Sequence, residues 1–184
     1  MKRHVFNKFF DSKKIEESIL TICRSEEPLI SVLTLHLTCE SFLEAFISGK
    51  LDIEDLFASR PKNHDDVSFR MSFEHKNKLA QRLGMPRAAY EALSELNQIR
   101  NQFAHRLLHA EIPSKTINKI IELIDSFKGT ETEIKLNDEG VTYRPVDGDN
   151  QFTYKMSDPG TPETIKLCIA YFSMFRRVAM GLSH

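Results

Sequence analysis

The feature that most constrains this chain is a run from Leu29 to Ile47 that is apolar on most sides. Its β-branched residues allow a strand, but the length favours a buried helix. Pro28 precedes it at a favoured first-turn position, and Gly49 is the expected stop. His36, Glu40 and Glu44 interrupt the run at every fourth residue, so a helix stacks them along one line. Together with Lys50 they argue against a membrane span. Polar groups placed where burial is expected must be paired, or they cost stability.

The same conflict recurs mid-chain. A helix predicted from Pro86 to about Leu108 puts Ala89, Leu93, Leu96, Phe103, Ala104 and Leu107 on one side, at about 100° per residue. Arg100 projects near the centre of that apolar side. Asn97, Asn101 and His105 form a polar ridge along its edge. Such a helix either carries a structural polar network or builds a site.

The remaining pattern is also mainly helical. Residues 1 to 10, basic and aromatic, are expected as an arm packed on the core or on a second subunit. Asp11 or Ser12 caps a helix running to about Arg24. Leu51 to Phe57 reads as a short helical piece and Arg60 to Asp66 as a polar loop. Ser72 is the N-cap of a helix that ends at Gly84, with His75 at the capping-box position. Pro113 or Ser114 opens a helix carrying Ile117, Ile120, Ile121, Ile124 and Phe127, closed by Gly129. Thr130 to Pro159 alternates around a turn and reads as a β-hairpin or an extended insert. Pro162 and Glu163 start a last helix, to about residue 181. The expectation is one all-α domain over 1–184, a bundle of about five to six helices. Its core spans about 28–128, with a small extended or hairpin insert near 130–159.

Composition narrows the function less. With 184 residues, 41% hydrophobic and 28% charged, the chain suffices for one domain with a real core. A net charge of -1 announces neither a nucleic-acid nor a membrane partner. Cys23, Cys39 and Cys168 are far apart in apolar contexts and read as reduced core residues. The N-terminus has no apolar run of signal-peptide length, so a cytoplasmic protein is the default. No Walker loop, dinucleotide fingerprint or nucleophile elbow is present, and no cofactor is expected.

Arg100 and His105 are the sharpest chemical pair. Arginine offers a planar fork of donors suited to phosphate, and histidine exchanges protons near neutral pH. Together they can bind a scissile phosphodiester and activate a ribose 2′-hydroxyl. On one regular helix the two side chains stand about 140° apart. A second copy facing the central helix would let both line one cleft, so a homodimer is expected.

Arg100-Asn101-x-x-x-His105 resembles the R-x4-6-H signature of the HEPN superfamily, in which a polar residue often follows the arginine. The stretch Ser72-Phe73-x-x-Lys76-x-x-Leu79-Ala80-x-x-Leu83-Gly84, with Arg100-Asn101-x-Phe103-Ala104-His105, is similar to the mannitol-operon-repressor-like branch. The resemblance covers roughly residues 28 to 128. It implies a helical core and, for the catalytic members, a metal-independent endoribonuclease of toxin or defence type acting through a dimer cleft. His105 would then be the acid/base, Arg100 the phosphate clamp and Asn101 a positioning group, with RNA as partner. Mannitol-repressor-like members imply instead a regulator or protein-binding module, including antitoxin or immunity roles.

A structural alternative stands beside both. Arg100 can be a buried ion-pair partner of Glu40 or Glu44, with Asn97 and Asn101 completing the network. His36 and Glu40 share metal-ligand spacing but lack the HExxH arrangement, so a core polar pair is the reading and no metal is expected. His64 with Asp65 and Asp66 is loop composition. Arg82 with Arg87, and Arg176 with Arg177, suit RNA phosphates but read as solvated faces. Cys39 near His36 reads as a core residue rather than a nucleophile.

Overall fold

The apolar run forms α3 (Pro28–Leu51), and the rest of the bundle is built around it. A computed structural model of the chain describes residues 2–54, 56–57, 70–105, 111–127, 134–144 and 151–181. The other elements are α1 (Arg3–Phe9), α2 (Ser12–Arg24), α4 (Phe73–Arg82), α5 (Arg87–His105), α6 (Ser114–Asp125), β1 (Gly140–Tyr143), β2 (Phe152–Lys155) and α7 (Glu163–Gly181). The architecture is an all-α bundle with a small β-hairpin, as the periodicity predicts. Helices α1, α2, α4, α5 and α7 all pack on α3, while α6 bridges α5 and α7.

By length and composition α3 could cross a membrane, yet here it is the central core helix. Phe42 on α3 is fully buried and stacks on Phe175 of α7 at 4.4 Å, with Phe6 and Phe10 edge-on to it. Aromatic pairs of this kind add to the stabilisation from burial alone. The N-terminal segment packs on the core, one of the two places expected for it, and does so as a helix, because Val5 and Phe6 bury against α3. It brings the α-helices among the described residues to seven, above the expected range. Gly49 is not the stop. Its carbonyl accepts the Lys2 N–H, and α3 continues to a left-handed Asp52 at φ 61°. The described part of 52–57 is turn rather than helix.

Ser72 caps α4 as expected. Its Oγ accepts the His75 N–H at 3.3 Å and lies 3.1 Å from His75 Nδ1. The imidazole thus stands where a capping box places Glu or Gln. Gly84 follows α4 at φ +97°, a conformation only glycine adopts cheaply. The expected loop Arg60–Asp66, with His64, Asp65 and Asp66, lies outside the described residues, as do Phe69, Leu107, Leu108 and Gly129.

The insert is a two-stranded antiparallel hairpin, with Gly140 opposite Lys155 and Tyr143 opposite Phe152. Gly140 is required there, since a Cβ would stand 2.5 Å from the Tyr154 carbonyl oxygen. Arg177 of α7 clamps this insert to the bundle and is 2% exposed. Its Nη1 donates to the Ile124 carbonyl (3.0 Å), Nη2 to Ile134 (2.9 Å) and Nε to Ser173 Oγ (3.2 Å). Asp125 and Glu139 supply carboxylates at 3.1 and 3.4 Å. Arg176, next to it, is exposed and pairs with Glu139 at 2.8 Å. The solvated reading of this basic pair therefore fails for Arg177. Arg177→Ala should lower unfolding stability by about 3–5 kcal/mol, measured in urea, because it strands the Ile124 and Ile134 carbonyls and removes the buried cation that Asp125 and Glu139 face.

Candidate functional site

Helices α3, α4 and α5 meet along the line of His36, Glu40 and Glu44. The cation facing the two carboxylates is Lys76 of α4, not Arg100. Lys76 is 5% exposed, and its Nζ donates to Glu40 Oε1 at 2.6 Å and Glu44 Oε1 at 2.5 Å. Burial pushes the ammonium pKa down, but the hydrogen bonds and charges of Glu40 and Glu44 outweigh it, and the net shift is upward. Lys76 was legible in principle. It follows Phe73 by three residues and precedes Ala80 by four, so it falls on the apolar side of α4.

His36, 7% exposed, stacks on Phe73 with ring centroids 4.2 Å apart. Its Nε2 is 3.2 Å from Asn97 Oδ1 of α5. An amide oxygen only accepts, so Nε2 carries the proton and Nδ1 is the basic atom of the neutral ring. Burial lowers the His36 pKa. The bond to Asn97 and the charge of Glu40 work against that, and the charge of Arg100 reinforces it. One turn along, Asn77 Nδ2 of α4 donates to the Tyr90 carbonyl (2.9 Å) and to Ser94 Oγ (3.1 Å), while its Oδ1 is buried without a partner.

Arg100 is half-buried on α5. Its Nη1 donates to Asn101 Oδ1 at 3.1 Å, and its Nε is buried with no hydrogen-bond partner. His105, the last residue of α5, is exposed, and among the described residues no hydrogen bond joins it to Arg100. The fold thus brings His36 to Asn97, Glu40 and Glu44 to Lys76, and Arg100 to Asn101. It does not pair Arg100 with either carboxylate.

The exposed positions at the end of α5, namely Gln98, Asn101, Gln102, Ala104 and His105, are polar or small. Large exposed apolar residues instead line α3. Ile30, Leu33 and Leu37 fall on one side, and Leu37 is 62% exposed. Beside them a groove of about 230 Å³ runs between α2 and α3, lined in part by Phe10, Ile15 and Leu37. Arg82 and Arg87 are exposed and line a shallow pocket with Lys78 and Tyr90, where Arg87 pairs with Glu91 at 2.8 Å.

All three cysteines are free and buried. Burial holds the Cys39 thiol well above its ordinary range, so it is a core residue and no nucleophile. Among the described residues no three His, Cys, Asp or Glu side chains converge as a metal site requires. No protein-family model, curated protein or solved structure matches the chain.

The depressed His36 pKa has a consequence for stability. The unfolded chain binds a proton on this ring more readily than the folded one. The stabilising contribution is complete above the ordinary value of 6.5 and disappears as pH falls through the folded-state value. Melting temperature should therefore drop less for His36→Gln than for wild type between about pH 7 and 5, read by circular dichroism. Parallel curves would show that His36 carries no such penalty.

Proposed function

We propose that this chain is a HEPN-like endoribonuclease, of toxin or defence type, that works as a homodimer without a metal ion. Arg100 clamps the scissile phosphate and Asn101 positions it. His105 takes the proton from the ribose 2′-hydroxyl, and the His105 of the second copy returns one to the leaving 5′-oxygen. The 2′-oxygen to phosphorus bond forms as the phosphorus to 5′-oxygen bond breaks, giving a 2′,3′-cyclic phosphate and a 5′-hydroxyl.

The observation that carries this reading is the state of Arg100. Lys76 holds Glu40 and Glu44, so among the described residues the Arg100 fork bonds only to Asn101, and its Nε has no partner there. A buried donor without a partner costs about 1–3 kcal/mol, which an arriving anion can recover. Arg177 shows the contrast, since its three nitrogens all donate within the fold. Incubation with RNA in chelator should show cleavage by wild type and a loss of about 10²-fold or more in His105→Ala. Intact RNA across a broad substrate panel, or an equally active mutant, rejects the reading. Arg100→Ala should also lose cleavage while melting close to wild type.

The dimer supports the chemistry geometrically, because one helix holds Arg100 and His105 about 140° apart. The polar end of α5 offers little apolar area of its own. The apolar contact in this reading comes from the exposed line of Ile30, Leu33 and Leu37 on α3, in which Leu33 precedes His36 by three residues and neighbours it on the helix. Leu37→Glu should convert the dimer to monomer in sedimentation at unchanged helix content. A wild type that stays monomeric in solution scattering at high concentration counts against the dimer.

The second reading is a non-catalytic regulator or interaction module, such as a mannitol-operon-repressor-like transcriptional regulator, an antitoxin or an immunity-type protein. The same exposed line on α3 favours it, since an apolar line of this kind suits a protein partner. It expects no cleavage by wild type and a fold that suffers when Arg100 is removed.

A further inference from the structure

On the sequence pattern alone His36 is a core polar residue paired with Glu40. Three observations give it a more specific place. Its ring is enclosed by α3, α4 and α5, stacked on Phe73 and bonded through Nε2 to Asn97. Asn97 and Arg100 are three residues apart on α5, so they are neighbours on one side of that helix. Arg100 Nε lies buried and unpartnered within this cluster.

We propose that His36, Asn97 and Arg100 form one anion-binding unit, in which the His36 ring takes up a proton when an RNA phosphate docks on Arg100. The proposal rests on the reading of Arg100 as a phosphate clamp.

The groups that act on the ring from each side are few. From α5 come Asn97 and the positive charge of Arg100. From α3 comes Glu40, whose Oε1 is held by Lys76 of α4. From α4 Phe73 contributes an uncharged face. In the free protein, burial and the charge of Arg100 disfavour the imidazolium and outweigh the bond to Asn97 and the charge of Glu40. A docked phosphate offsets the arginine charge and brings a negative charge of its own near the ring. Both changes favour the imidazolium, with the added proton at Nδ1. Nε2 can keep its bond to Asn97 throughout, because that bond needs a proton on Nε2 in either state. Phosphate binding and proton uptake are then linked, and affinity rises as pH falls.

The probe is a single-stranded RNA dodecamer carrying 2′-O-methyl groups, which cannot be cleaved through the 2′-oxygen. Wild-type affinity should rise up to about tenfold per pH unit from about pH 7.5 to 6. His105→Ala removes the other imidazole of the cleft, so the slope that remains in it belongs to His36. His36→Gln should be flat within about twofold, since Gln can still donate to Asn97 Oδ1 but cannot titrate. Calorimetry on wild type in two buffers of different ionisation enthalpy reads the proton directly, independently of how well the variant folds. It should report uptake of up to about one proton per bound RNA near pH 6.5. No uptake by wild type, or an unchanged slope in His36→Gln, overturns the inference and leaves Arg100 as a clamp. RNA that fails to bind wild type, or that binds Arg100→Ala equally well, overturns the clamp and this inference with it.

Discussion

The structure depends on how α3 accommodates charge. A helix apolar on nearly every side, placed at the centre of a bundle, carries two carboxylates on one line. A single cation, Lys76, lies between them and bonds to both. Lys76 is the buried member of the three, and an ammonium at that depth without its carboxylates would be strongly unfavourable, so α4 cannot slide along α3 without losing both bonds. Further polar bonds tie α5 to its neighbours. His36 meets Asn97, Asn77 meets Tyr90 and Ser94, and the Tyr171 hydroxyl donates to the Ala92 carbonyl from α7. The apolar core supplies most of the driving force, and these directional contacts select one register.

Two arginines in the same bundle show what separates a structural role from an available one. Arg177 is enclosed by carbonyls, a hydroxyl and carboxylates, and it joins α6, the insert and α7. Arg100 sits half-buried at the edge of a polar cluster and has, among the described residues, one hydrogen-bond partner and one unpartnered nitrogen. A guanidinium left open in this way suits a planar anion, which it can grip through two donors. The proposal that Arg100 clamps a phosphate rests on that difference more than on the spacing of Arg100 and His105.

Much of the fold was legible from local pattern. Pro28, Ser72, Pro113 and Glu163 mark helix starts within a residue or two, because capping chemistry acts over one turn. The alternating stretch after Gly129 forms the hairpin. Gly49 misled, since its carbonyl is satisfied by the chain start at Lys2 rather than by a helix-ending turn. The short basic and aromatic N-terminus became a helix for a related reason. Val5 and Phe6 find an apolar surface on α3, and tertiary packing overrides weak local preference.

The sequence by itself determined where most of the helices start, which residues share a side of each, and that polar groups on α3 and α5 would need partners. Those properties follow from 3.6-residue periodicity and local capping, which neighbouring residues fully specify. Only the tertiary structure decided the pairing. It gave Glu40 and Glu44 to Lys76, buried Arg177 while leaving Arg176 in solvent, and left Ile30, Leu33 and Leu37 exposed on a helix most of which is enclosed. Periodicity sets the side of a helix on which a charge stands. Which opposite charge reaches it depends on the packing of helices distant in sequence.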